Sequence, residues 1–185
     1  MTSSPALDRL LLACLALVLA EACTPAAGTR RALTATTTVY LTRHYEKAVG
    51  AEYGGDPPLT AAGEARAEAL REALADVDLD GVYASQYERT RATVAPTALA
   101  RKRSVGRYAT SQGAAATIDS LVAVHAGGNL LVAGHSNTVP RMLDALVGEA
   151  RYGDLDEADY GGLWRVTLAP GRAPEVVASR VEALR

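Results

Sequence analysis

Short apolar runs alternate along this chain with longer stretches in which apolar residues recur every three or four positions. The run Val39-Tyr40-Leu41-Thr42 reads as a buried strand that stops at Arg43-His44. Similar short runs at residues 81–84, 105–108 and 129–133 predict three more strands. Between them, residues 61–75 are rich in Ala, Glu and Arg, with Ala62, Ala65, Ala69, Leu70, Ala73 and Leu74 on one helical face. Thr60 stands where an N-cap is wanted. Gly63 costs that helix up to ~1 kcal/mol relative to Ala, which a close approach to another segment would explain. Residues 88–100 form a second predicted helix, with Pro96 as an expected kink or early end. A third, residues 112–126, is stopped by Gly127-Gly128. A fourth, residues 137–147, tolerates Pro140 in its first turns and ends at Gly148. Gly50, Gly54, Gly55, Pro57 and Pro58 make residues 49–58 a loop. Residues 163–168 and 175–181, separated by Pro170-Gly171, predict a hairpin.

Strands alternating with helices imply right-handed crossovers and an α/β fold. The expected architecture is a three-layer α/β/α sandwich with a mainly parallel sheet and a C-terminal antiparallel hairpin at one edge. With 185 residues, 49% of them hydrophobic, the chain can bury the core of one domain. It has no Phe and one Trp, so that core must rest on Leu, Val, Ala and Tyr. The formal net charge is −2 with both signs mixed, which argues against a nucleic-acid partner.

The N-terminus reads as a separate leader. Residues 10–20 are uninterruptedly apolar, too short for a membrane anchor but suited to the core of a secretory signal. Ala20-Glu21-Ala22 offers a small-x-small cleavage pattern, and Cys23 follows it at the place where bacterial lipoproteins are lipidated. Cys14 is then a residue of the apolar stretch. Residues 1–33 are assigned to leader and linker and residues 34–185 to the domain. The protein is expected outside the cytoplasm, in the periplasm or beyond, either free or membrane-anchored through Cys23. Both cysteines fall in the leader, so neither a disulfide nor a cysteine metal cluster is expected to support the domain.

In an open α/β sheet chemistry collects beyond the carboxyl ends of the strands. Three such ends deliver basic groups here: Arg43-His44, then Arg89 four residues after Ser85, then His135 in Gly134-His135-Ser136. Two guanidinium forks match the oxygens of a phosphoryl group. A neutral His44 can attack phosphorus and carry it covalently. A protonated His135 would add a donor where charge develops, and Ser136 and the amides at the start of the fourth helix lie beside it. With arginines neutralising the charge, neither a metal nor a cofactor is called for. The expected partner is a small-molecule or peptide phosphate.

These pieces together resemble the histidine phosphatase superfamily, which includes cofactor-dependent phosphoglycerate mutases and small bacterial phosphohistidine phosphatases. The resemblance runs over Leu41-Thr42-Arg43-His44, Leu59-Thr60-Ala61-Ala62-Gly63, Val82-Tyr83-Ala84-Ser85 with Arg89-Thr90-Arg91-Ala92-Thr93, and Val132-Ala133-Gly134-His135-Ser136. It implies a phosphoglycerate mutase-like fold and a metal-independent phosphomonoesterase in which His44 is phosphorylated. Arg43, Arg89 and His135 would complete the pocket. Two departures stand out. Tyr45 replaces the small residue that usually follows the nucleophile, so its ring is expected to narrow the pocket or displace His44. The usual carboxylate general acid is also missing, since residues 101–116 contain no Asp or Glu; Glu46 and Asp119 are the candidates left. The alternatives are a phosphate-binding protein of the same fold with impaired catalysis, and a phosphatase of phosphohistidine proteins. A mutase is disfavoured by the lack of long insertions. Trp164, Tyr152 and Tyr160 are read as packing residues, His125 as a helix end, and residues 49–58 and 151–162 as the shapers of specificity.

Overall fold

A computed structural model describes residues 33–183. The leader, Cys14, the lipidation candidate Cys23 and the boundary at residue 33 therefore lie outside or at the edge of the described residues. Six strands form one sheet: β1 (Thr37–Arg43), β2 (Gly81–Ser85), β3 (Val105–Tyr108), β4 (Asn129–Gly134), β5 (Gly162–Leu168) and β6 (Glu175–Arg180). Their spatial order is β3-β2-β4-β1-β5-β6. The first four run parallel, while β5 and β6 pair antiparallel at the far side of β1. The expected sandwich, with its hairpin at one edge, is the observed fold.

Helices α1 (Ala61–Ala73) and α2 (Glu88–Ala100) cover one face; α3 (Ala114–Val124) and α4 (Thr138–Val147) cover the other. Alternation along the central strands divides the core accordingly. Leu131 and Ala133 of β4 meet Leu70, Leu74, Val94 and Ala98, whereas Leu130 and Val132 meet Ile118, Val122, Met142 and Leu143. α2 continues past Pro96 to Ala100 instead of ending early. The proline removes one backbone hydrogen bond, but burial of Val94, Thr97 and Ala98 on either side of it holds the helix in line. Among the described residues no helix is long and apolar enough to cross a membrane.

The N-terminus of α1 forms as its sequence predicts. Thr60 Oγ1 accepts from the amide of Gly63 at 3.2 Å, and Thr60 N donates to Glu46 O at 2.8 Å. A Cβ on Gly63 would lie 2.4 Å from that same Glu46 oxygen. The close approach is thus between the first turn of α1 and the backbone two residues beyond His44.

Candidate active site

The parallel register of β1 and β4 aligns Thr42 with Ala133 and Arg43 with Gly134. The next residues of the two strands, His44 and His135, consequently emerge side by side. Their ring centroids are 5.4 Å apart, edge to face. His44 N donates to Gly134 O at 2.9 Å, which continues the ladder one step past the strands. Ser85 arrives from the end of β2, the neighbour of β4 on its other side, and Arg89 from the first turn of α2.

Both imidazoles are buried and hydrogen-bonded on one side only. His44 Nδ1 lies 2.8 Å from the carbonyl oxygen of Tyr45. A carbonyl only accepts, so Nδ1 carries the proton and the lone pair of Nε2 is left exposed to a reaction partner. Burial pushes the His44 pKa from 6.5 to about 3, opposed by the Tyr45 hydrogen bond and reinforced by Arg43, His135 and Arg89. His135 is pushed to about 4 by burial and by the two arginines, with Asp56 and Glu157 acting the other way. His135 is therefore neutral at pH 7, not the cation expected of it. An arriving dianion would raise its pKa and restore the proton.

A short chain fixes the His135 ring. Its Nε2 lies 2.9 Å from Ser85 Oγ, which lies 2.8 Å from Thr90 Oγ1, and Thr90 Oγ1 donates to Tyr87 O at 2.8 Å. With Thr90 committed to that carbonyl, Ser85 donates to Thr90 and accepts from His135 Nε2–H, so every proton in the chain has one acceptor.

The two arginines are held differently. Arg89 stacks on the Tyr87 ring at 4.5 Å and reaches Asp56 Oδ1 at 3.5 Å; Asp56 itself accepts from the first amide of α2, Glu88 N, at 2.8 Å. Arg43 is almost wholly buried, with its guanidinium 4.4 Å above the Tyr160 ring. Its terminal nitrogens turn toward residues 156–159. Nη1 donates to Asp156 O (2.7 Å) and Asp159 O (3.0 Å), and Nη2 donates to Glu157 O (3.1 Å) and Glu157 Oε2 (2.9 Å). Among the described residues, the buried side-chain polar atoms without a hydrogen-bond partner are Arg43 Nε, Arg89 Nε and Thr97 Oγ1. A buried donor left unpaired costs roughly 1–3 kcal/mol, so both arginines retain an unmet demand for an acceptor.

Several expectations need correction. Tyr45 does not enter the pocket: it is fully buried among Leu59, Leu70 and Leu163, with its hydroxyl 3.5 Å from Thr42 Oγ1. Strand alternation carries the side chain after His44 to the opposite face. Glu46 is not placed as a proton donor. Its carboxylate is gripped by Arg66, at 3.1 Å from Nε and 2.6 Å from Nη2. Burial, the largest single effect, would raise its pKa, but the Arg66 hydrogen bonds, its own backbone amide and the charges of Arg66 and Arg43 together hold it below the usual range. Asp119 lies on the exposed side of α3. Ser136 turns its hydroxyl to Glu157 Oε1. Tyr160, read as packing, is a site residue, 6.2 Å from His44 between ring centroids. Ser85, Thr90 and Glu157 also belong to the site; the spacing of Ser85 and Thr90 from Arg89 carried a signal for the first two, whereas nothing in the loop sequence marked Glu157.

Residues 47–57 wall an open cleft of about 440 Å³ against Arg89, with Lys47, Val49, Gly54 and Pro57 in its lining. Among the described residues no group of three or more His, Cys, Asp or Glu side chains is placed to hold a metal ion.

Comparison with known proteins bears out the fold. Residues 39–112, which include His44, Ser85 and Arg89, match the histidine phosphatase superfamily (branch 1). Among solved structures, the protein histidine phosphatase SixA complexed with tungstate superposes with a TM-score of 0.63 at 18% identity, covering 77% of this chain and 96% of its own. Bacillus stearothermophilus YhfR gives 0.62 at 19% identity, with 77% and 96% covered. Phosphoglycerate mutase from Bacillus anthracis str. Sterne gives 0.57 at 15% identity, with 84% and 95% covered. The chain thus has the phosphoglycerate mutase-like fold. No curated protein matches it in sequence.

Proposed function

We propose that this protein is a phosphomonoester hydrolase that works through a phosphohistidine on His44. The observation that carries the reading is the tautomer of His44: Tyr45 O binds Nδ1–H, which leaves the Nε2 lone pair free within electrostatic reach of two arginines that each have an unpaired buried donor. A phosphoryl group bound by those arginines meets a neutral nucleophile. Phosphorus–oxygen cleavage follows formation of the phosphorus–nitrogen bond, and the electron pair leaves with the departing group. Water then attacks the phosphorus as the phosphorus–nitrogen bond breaks; the electron pair returns to His44 Nε2, a proton of the water passes to solvent, and inorganic phosphate is released. The guanidinium groups and a substrate-protonated His135 balance the equatorial charge.

The pairing of Glu46 with Arg66 favours substrates whose leaving group needs little help from an acid. A phosphohistidine side chain is such a group, so a phosphohistidine protein phosphatase is the second reading. We also place the protein outside the cytoplasm, free or lipidated at Cys23, on the strength of its leader sequence; fractionation of a tagged chain tests this.

The decisive experiment is turnover of an aryl phosphate and of phosphohistidine peptides by the purified domain, with acid and base quenching of the labelled enzyme. The expected label is acid-labile and base-stable, and absent from His44→Ala. Normal turnover by His44→Ala, or an acid-stable label, would overturn the proposal.

A further inference from the structure

Glu157 stands where an anion ought to bind. Oε2 accepts a hydrogen bond from Arg43 Nη2 at 2.9 Å, and Oε1 accepts from Ser136 Oγ. The other three terminal protons of Arg43 go to the carbonyls of Asp156, Glu157 and Asp159. All four terminal N–H groups of this arginine are therefore spent within one turn, and only Nε remains.

The four acceptors differ in how easily they can let go. The three carbonyls belong to a pinned backbone. Leu155 N donates to Ser136 O at 2.9 Å, Asp159 N to Asp156 O at 3.0 Å, and Arg180 holds Asp159 Oδ1 at 2.8 Å. Tyr160 lies under the guanidinium. The Glu157 side chain, by contrast, is 71% exposed and can swing into solvent without moving the turn. The Ser136 hydrogen bond, joined by the charges of Arg43 and Lys47, holds its pKa below the usual carboxylate range against the effect of burial, so at neutral pH it is a carboxylate.

We infer that the Glu157 carboxylate is an internal ligand of the phosphoryl seat, which an incoming oxyanion must displace from Arg43 Nη2 and Ser136 Oγ. The inference rests on the phosphoryl reading of the site but is independent of turnover. Two physical effects act in the same direction. Each bound oxyanion has to break two charge-assisted hydrogen bonds that the free protein already makes. The displaced carboxylate then remains at the rim, where it repels a phosphate dianion. Inorganic phosphate is held more weakly than the donor set alone would hold it, and product leaves more readily.

The sign of one substitution separates this from a structural role. Inorganic phosphate and tungstate are titrated calorimetrically into the wild-type protein, Glu157→Gln, Glu157→Ala and Glu157→Asp at neutral pH. Loss of the charge should tighten both anions on the order of five- to tenfold in the Gln and Ala variants, with the Asp variant lying between them and wild type. A residue that merely braces the loop would weaken binding when changed. Equal or weaker binding in the Gln and Ala variants overturns the inference. Failure of wild type and all three variants to bind either anion would instead sink the phosphoryl seat itself, and with it the proposed function.

Discussion

Burying two neutral imidazoles side by side has a cost that appears when the solution is acidified. His44 and His135 have folded pKa values of about 3 and about 4 against 6.5 in an unfolded chain. Below pH 6.5 the unfolded chain therefore binds two protons that the folded one refuses. Stability is fully present above that pH and is lost as pH falls through it toward the folded values. At about pH 5 each histidine lowers the unfolding free energy by about 2 kcal/mol, roughly 4 kcal/mol for the pair. The figure depends mainly on the unfolded pKa, because both folded values lie below pH 5. The control is a double variant that keeps the hydrogen bonds without the titration. In His44→Asn the amide stands in for Nδ1–H toward Tyr45 O, and in His135→Gln it stands in for Nε2–H toward Ser85 Oγ. Urea unfolding followed by Trp164 fluorescence at about pH 7.5 and about pH 5 gives the loss for each protein, and carboxylates common to both cancel in the difference. Wild type should lose roughly 4 kcal/mol more than the double variant. Losses equal to within about 1 kcal/mol would refute the claim that both rings are held neutral by burial.

Three further outcomes follow from the geometry. Arg89→Ala removes the guanidinium stacked on Tyr87 and should lower kcat/KM for an aryl phosphate about 100- to 1,000-fold, since it leaves phosphate charge unpaired in a buried site; a loss under tenfold would show that Arg89 is peripheral. Gly63→Ala puts a Cβ 2.4 Å from Glu46 O, a backbone atom that must move, so it should destabilise the fold by about 1–3 kcal/mol and lower kcat as well, read by thermal melting and steady-state kinetics. Glu46→Gln should leave kcat within a few-fold of wild type for both aryl and alkyl phosphates, because its carboxylate serves Arg66; a selective loss on the alkyl ester would restore Glu46 as the acid.

The strands, the helices and the meeting of His44, Arg89 and His135 were legible because each rests on a local rule: an apolar run, a cap, a polar residue just beyond a strand. Parallel register then does the long-range work, bringing residues 44 and 135 together across β1 and β4. What could not be read depends on side-chain direction and on irregular backbone. Tyr45 looked intrusive because its size was visible and its face was not. Tyr160 and Glu157 lie in a loop without periodicity, and only folding shows that Arg43 turns its terminal nitrogens toward the carbonyls of residues 156–159. The charge state of His135 was misjudged for a related reason. Two arginines and burial act on it together, and their sum depends on distances that spacing does not contain.

The first two turns of α2 explain why these parts hold together. Thr90 receives Ser85, and Ser85 holds His135. Thr93, one turn on, accepts from Tyr45 N at 3.1 Å and donates to Arg89 O at 2.8 Å, while Tyr45 O fixes the tautomer of His44. One helix therefore presents Arg89 directly and orients each imidazole through a threonine. Tyr45 is the anchor of this arrangement: its ring, locked in the core, fixes the residue whose carbonyl binds His44 Nδ1 and whose amide binds Thr93 Oγ1. A glycine at that position would leave the same hydrogen bonds possible but would let the peptide rotate, at an entropic cost in holding the nucleophile. The bulky residue after the nucleophile thus stiffens the site from behind, and the pocket in front of His44 is left clear of it.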